Sequence, residues 1–210
     1  METLSRLLCL LLALAAGAPA HAAGRLTRDV LASADAFRTV PMHEVLGLPP
    51  TPALAIDVTL PRAWRGREFP ADTRGTVMWS TAGDYGLMRN RKRLTGRFGA
   101  LLAERSQVSW NQQDGTFEDQ AGNDEQKVEE NLQKERPSKL RVQRIDRGDL
   151  PLLLVEADLT AQLKLRAIYV ALGRNARVLR YVPQRPWNEA DDLVWARLRD
   201  SVAGRTAAEP

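Results

Sequence analysis

The sequence predicts an α+β chain: an antiparallel β-sheet flanked by helices on both faces, an α/β/α sandwich, with an extra helix at the N-terminus. Three observations point there. Residues 152–159 and 163–172 form an apolar hairpin for which one register satisfies both charge and burial. A third strand, Arg177 to Val182, follows it, and the chain closes in a helix whose start and stop signals all agree.

The first residues, METLSRLLCLLLALAAGAPAHA, place Arg6 ahead of an apolar run from Leu7 to Ala16, then two A-x-A sites at Ala18-Pro19-Ala20 and Ala20-His21-Ala22. Crossing a bilayer takes about 20 apolar residues, and this run is shorter. Residues 1–22 are therefore expected to be a secretory signal peptide cleaved near Ala22, which makes the protein periplasmic or secreted and leaves no transmembrane segment. Cys9 and His21 leave with the leader, so only His43 remains of the cysteines and histidines. Disulfides, thiolate nucleophiles and Cys/His zinc sites are thereby excluded.

Behind Thr27, the residues Val30, Ala34 and Phe37 recur at helical spacing before Pro41, which predicts a short amphipathic helix. Gly47 to Pro52, GLPPTP, reads as a stiff linker. Residues 23–52 are thus expected to precede a single sandwich domain over 53–204, with 205–210 as a disordered tail. Ile56, Val58 and Leu60 alternate with Asp57 and Thr59, giving a strand with one buried face that Pro61 ends. Thr76 to Ser80 predicts a second strand. Leu94, Phe98, Leu101 and Leu102 suggest a helix, against which Gly96 and Gly99 count by up to about 1 kcal/mol each.

Residues 111–139 contain few apolar side chains, namely Phe117, Ala121, Val128 and Leu132. They are expected to form a mobile charged insert bearing a surface helix from about Asn123 to Arg136. On it Val128 and Leu132 share a face, and Glu130 lies four residues before Lys134.

In the hairpin, a turn centred on Ala161 sets Asp158 opposite Lys164 and Glu156 opposite Arg166. A slip of two residues would set Leu154 against Arg166 instead. One face then carries Leu153, Val155, Ala157 and Leu159 with Leu163, Leu165, Ala167 and Tyr169, and is expected to be fully covered. The other, apolar only through Leu152, Leu154, Ile168 and Val170, is expected to be half covered. The closing segment has Asn188 as its cap with Asp191 three residues on, Glu189, Asp191 and Asp192 in the positive first turn, and Gly204 past its end. Val194, Leu198 and Val202, flanked by Trp195, form its docking face, and the acidic trio reads as cap and dipole chemistry.

The strand that runs into a proline and a tryptophan (IDVTLPRAW, with Leu60-Pro61 and Trp64), the mid-chain charged helix, the antiparallel strands and the closing helix into Asp200-Ser201-Val202 together resemble the PsbP and DcrB superfamily. The resemblance covers roughly Leu54 to Val202 and implies an α/β/α sandwich with an accessory or binding role and no transferable catalytic residue. The N-terminal helix and the arginine-rich middle depart from that layout.

Of the 30 basic residues only five are lysine, a skew that codon bias explains more simply than phosphate binding, and the net charge is a modest +4. No nucleic-acid recognition motif surrounds the densest basic run, Arg89, Arg91, Lys92 and Arg93, which reads as a solvated face of an exported protein or a contact for an anionic envelope component or envelope protein. Trp79 and Tyr85 lie near it in sequence. With those arginines and Lys92 they make a candidate partner-contact surface, since aromatics beside arginine favour interfaces. The leading expectation is an exported, non-enzymatic accessory or binding protein of the bacterial envelope acting through protein–protein contact, without cofactor. A carrier of a small apolar or amphipathic ligand, lined near Leu152, Leu154, Ile168 and Val170, is the first alternative. An envelope hydrolase using carboxylates such as Glu118 and Asp119 is the second. A Ser/His/Asp site would need His43, and no G-x-S-x-G elbow surrounds any serine.

Overall fold

The computed structural model describes residues 27–69, 75–82, 85, 99–160, 163–173, 176–183 and 187–205. The leader and the basic run from Arg89 to Arg93 lie outside them. Along the described chain run α1 (Arg28–Leu31), β1 (Phe37–Pro41), α2 (Met42–Leu46), β2 (Asp57–Pro61), β3 (Arg65–Glu68), β4 (Val77–Ser80) and β5 (Ala100–Arg105). There follow β6 (Ser109–Asn111), β7 (Thr116–Glu118), α3 (Glu125–Lys134), β8 (Lys139–Arg147), β9 (Leu150–Asp158), β10 (Lys164–Val170), β11 (Arg177–Val182) and α4 (Glu189–Ala203). Seven strands form one sheet in the order β3-β4-β5-β11-β10-β9-β8, while β1-β2 and β6-β7 are separate pairs. Every pairing among the described strands is antiparallel. The class is mixed α+β.

The N-terminal helix is shorter than its periodicity suggests. Thr27 caps α1, accepting from the Val30 amide, but Ser33 accepts from the Asp35 amide and starts a separate 3-10 turn over Ala34–Ala36. Phe37 to Pro41 then extends as β1, with Val40 opposite Val58 and Phe37 opposite Pro61. The β-branched Thr39 and Val40 and the waiting edge of β2 outweigh a weak helical pattern. Residues on either side of the expected linker belong to the core: Leu54 and Ile56 after it are buried, and before it α2 buries Met42, Val45 and Leu46 in the same cluster as Leu152 and Ile168. Gly47 ends α2 at φ 64, where only glycine is unstrained, and a Cβ there would sit 2.5 Å from Val77 Cγ2.

Leu101 and Leu102 belong to strand β5, not to a helix; Leu94 and Phe98 lie outside the described residues. β5 sits inside the sheet between β4 and β11, and Ala100 to Ala103 are buried on both faces. A strand covered on both sides reads as an unbroken apolar run, which periodicity alone cannot tell from a buried helix. The predicted strands around Val58 and Val77 and the third strand at Arg177–Val182 are all present.

The hairpin has the expected register: Lys164 opposite Asp158, Leu165 opposite Ala157, Arg166 opposite Glu156. Its two faces are covered in the reverse order. Leu152, Leu154, Ile168 and Val170 lie in the main core with Val194, Trp195, Leu198 and Val202 of α4. Leu153 and Val155 instead join a smaller cluster with Phe117 and Val108, against which Leu132, Leu165 and Tyr169 are only partly buried, and Leu163 at the hairpin tip is 52% exposed.

The segment after β5 folds as a β6–β7 hairpin and α3. Phe117 is fully buried and meets the Trp110 ring edge-on at 4.8 Å. Asp124 caps α3 by accepting from the Lys127 amide at 2.9 Å. The expected Glu130–Lys134 contact is replaced by Lys127–Glu130 at 2.8 Å and by Lys134 on Asn131 at 2.9 Å. At the other end, α4 carries the capping box of Asn188 and Asp191 and closes at Gly204 in the left-handed region.

Candidate functional site

The acidic first turn of α4 is spent on structure. Asp191 accepts from the Asn188 amide at 3.0 Å and from the buried Tyr181 hydroxyl at 2.7 Å. Burial, and then the Asp191 charge and hydrogen bond, push that phenol well above its ordinary value. Asp192 accepts from Trp187 Nε1 at 2.9 Å, and Glu189 pairs with Arg28 at 2.9 Å.

Glu156, 1% exposed, faces α4. Its Oε1 accepts from Trp195 Nε1 at 2.5 Å and from Arg199 at 3.4 Å, and Oε2 lies 3.5 Å from Arg141. Burial alone pushes this carboxyl up, but the Trp195 hydrogen bond and then the charges of Arg199, Lys139 and Arg166 outweigh it and hold the group below its usual range. Arg166, directly across the ladder, turns its guanidinium to the Ala157 and Leu165 carbonyls and to Asp158. Lys164 reaches Asp192 at 3.9 Å instead of Asp158, with its ammonium 4.7 Å from the Trp187 ring centre. The charges that set the register thus tie α4 to the sheet.

The candidate partner-contact residues divide. Trp79 is 5% exposed and donates Nε1 to the Val45 carbonyl at 3.1 Å, so its ring is core and offers no aromatic surface. Tyr85 packs beside Met78, Ala100 and Leu102, donates its hydroxyl to the Glu68 carbonyl at 2.8 Å and lies under Arg67 at 5.0 Å. Arg89, Arg91, Lys92 and Arg93 lie outside the described residues. The carrier residues Leu152, Leu154, Ile168 and Val170 are buried in the main core with Val194, Trp195, Leu198 and Val202 of α4. Glu118 accepts from Asn111 Nδ2 at 3.1 Å. The Asp119 carboxylate collects the Ala121 and Asn123 amides and the Asn123 side chain. Those hydrogen bonds, Asn123 foremost, hold the Asp119 carboxyl down, which suits a loop anchor better than a proton donor.

A cavity does exist on the opposite sheet face. α3 stands off the strands and leaves an open groove of 820 Å³. Its floor is Leu165, Ala167, Tyr169 and Val178, and its helical wall is Val128 and Leu132. These residues align because β10 and β11 pair Tyr169 with Val178 and Ala167 with Arg180. Polar groups rim it: Asn131 on α3, Glu135 at its C-cap, Gln107, and the Arg180–Glu104 ion pair at 2.9 Å. Burial raises the Tyr169 phenol above its ordinary value, so it stays a neutral donor. Its hydroxyl makes no hydrogen bond among the described residues. Sequence reasoning grouped Leu165, Ala167 and Tyr169 correctly on one face but assigned that face to the closed core. The count of apolar residues on α3, too few to seal a sheet face, was the available signal.

No helix among the described residues is long and apolar enough to cross a membrane. No protein-family model, curated protein or solved structure matches the chain.

Proposed function

We propose that this chain is an exported, non-enzymatic binding protein of the bacterial envelope, an α/β/α sandwich of the PsbP and DcrB layout, that takes a small amphipathic ligand in the groove beneath α3. The groove itself carries the reading. Its 820 Å³ falls in the range of about 300–1,000 Å³ usual for small-molecule sites, which join an apolar lining to a few placed polar groups. Here Leu165, Val178 and Leu132 supply apolar contact, while Tyr169, Asn131 and the Arg180–Glu104 pair supply the polar part. The layered layout is supported by α4 packing on the Leu152–Leu154 side and by Leu132 of α3 on the Leu153–Val155 side. Weight moves from the protein-contact role to the carrier role because Trp79 is core and Tyr85 is engaged. The leader-like start of the sequence supports export, with which the lack of cysteine after it is compatible.

Native mass spectrometry of protein purified from its own envelope, with titration of a fluorescent fatty-acyl probe, tests the proposal. The expected results are a reproducible adduct released on denaturation and saturable probe binding that Leu165→Glu abolishes without loss of circular dichroism. A clean mass with no saturable binding refutes the carrier role. A co-purifying protein in place of a small molecule restores the protein-contact role.

A further inference from the structure

The turn between β2 and β3 carries a second arrangement, independent of the groove. Trp64 anchors it from inside: its side chain is fully buried and stacks on Tyr181 at 6.3 Å. The Trp64 amide donates to the Pro61 carbonyl at 2.9 Å, and the Arg62 amide to the Ala36 carbonyl at 2.7 Å, so the loop backbone is fixed. With its ring turned inward, the Trp64 carbonyl receives two guanidinium groups, Arg38 Nη2 at 3.0 Å and Arg65 Nη1 at 2.9 Å. Arg65 also donates to the Arg62 carbonyl, and Arg62 Nε donates to the Asp35 carbonyl at 2.8 Å.

Three like charges therefore gather on neutral acceptors. None of Arg38, Arg62 and Arg65 is in an ion pair with a carboxylate among the described residues. Arg38 is half-buried against the Trp79 ring at 5.8 Å, and its Nε is buried without an acceptor. Burial first, and then the Arg65 charge, lower the Arg38 guanidinium below its ordinary value; Glu44 opposes this and Arg62 adds to it. The partly buried Arg38 carries the cost of this cluster, since its charge has no carboxylate partner among the described residues and an anion beside it would neutralise it. A guanidinium has five N–H donors, and the carbonyl contacts leave most of them open while fixing where the forks sit. A monocarboxylate occupies one such fork. A tetrahedral oxyanion with more than one negative charge can bridge several.

We propose that Arg38, Arg62 and Arg65 form a binding site for a phosphate group, presented either as a free phosphate or as the headgroup phosphate of an anionic lipid. Arg62 and Arg65 are exposed and meet the anion from solvent, while Arg38 supplies the fixed, partly desolvated charge behind them.

The test uses the full chain in two arms: calorimetric titration with inorganic phosphate at constant ionic strength, chloride being the control, and co-flotation with phosphatidylcholine vesicles with and without phosphatidylglycerol. The expected result is saturable binding in at least one arm, weakened about tenfold or more in Arg62→Gln/Arg65→Gln, as the loss of a charged hydrogen bond predicts. Both side chains are exposed, so this variant should fold. Arg38→Gln gives a second readout: its Tm in phosphate-free buffer is unchanged or higher because a like-charge contact is relieved, and the rise in Tm that phosphate produces in the wild type disappears. Phosphate binding identifies the free group as ligand, and flotation alone identifies the lipid. Wild type that binds neither, or a double variant that binds as well as wild type, overturns the proposal. Leu165→Glu, which fills the groove, should leave phosphate binding unchanged, so the two sites fail separately.

Discussion

Replacing Glu156 by glutamine tests whether one buried carboxylate fastens the closing helix to the sheet. The substitution keeps the shape of the side chain and removes its charge. The carboxylate serves Trp195 Nε1 at 2.5 Å, Arg199 at 3.4 Å and Arg141 at 3.5 Å. Hydrogen bonds to a charged partner contribute roughly 1.5–3 kcal/mol, against about 1 for neutral pairs. The penalty of roughly 3–5 kcal/mol for orphaning a fully buried ion should not apply in full. Arg199 keeps Asp200 at 2.9 Å, Arg141 keeps Gln143 at 3.0 Å, and their side chains are 21% and 32% exposed. Glu156→Gln should therefore cost about 2 kcal/mol at pH 7, which for a chain of this size lowers Tm by about 4–8 °C. The pH dependence follows from the direction of the shift. A carboxyl held below its unfolded value of about 4.3 stabilises the fold fully above that value and loses the contribution as pH falls through the folded value. Urea melts of the two proteins from pH 7 to pH 3 should show their stability difference shrinking below about pH 5. A difference under about 0.5 kcal/mol at pH 7, or one that persists undiminished at pH 3, would refute the reasoning.

Four further substitutions probe the packing. Ile168→Ala, in the main core, should cost about 2–5 kcal/mol, while Leu165→Ala on the open groove floor should cost under about 1; equal losses in urea melts would mean that the two sheet faces are equally closed. Gly66→Ala would place a Cβ 2.7 Å from the ring of Trp79, which Val45 pins through Nε1, so a loss of about 1–3 kcal/mol in thermal melts is expected. Gly47→Ala combines a left-handed φ of 64 with a Cβ 2.5 Å from Val77 Cγ2, and a fall of at least about 1 kcal/mol should appear in the same assay.

The elements legible in the sequence are those where several independent constraints agreed. The α4 boundaries follow from the Asn188–Asp191 box and Gly204, and both appear in the structure. The β9–β10 register follows because charge pairing and burial each exclude a slip, and Glu156 does sit opposite Arg166. Where one weak pattern stood alone, the neighbours decided. Val30, Ala34 and Phe37 keep helical spacing, but β2 offered β1 a full set of backbone partners, and a ladder outweighs a marginal helix. Leu101 and Leu102 carry no period at all once both faces of their strand are buried. The arginine cluster was hidden for another reason: Arg62 and Arg65 flank Trp64 in sequence, but Arg38 joins them only through the β1–β2 pairing.

The reversal of the two hairpin faces has a physical cause that bears on the groove. Alternation shows which residues share a face. It does not show which face is core, because that depends on the apolar surface other elements can bring to it. α4 brings Val194, Trp195, Leu198 and Val202, and α2 and β2 add Met42, Val45, Leu46, Val58 and Leu60 to the same side. Against this, α3 offers Val128 and Leu132 on ten otherwise polar residues. The richer cover belongs on the side where Glu156 interrupts the apolar run, because Trp195 and Arg199 arrive there with the donors that a buried carboxylate requires. The uniformly apolar face has no such demand and can tolerate partial cover by a poor helix. The groove floor that results has Leu165 and Tyr169 partly exposed, with Ala167 and Val178 buried beside them, so the shortage of apolar residues on α3 that makes this helix look like solvated surface is also what leaves the groove open beneath it.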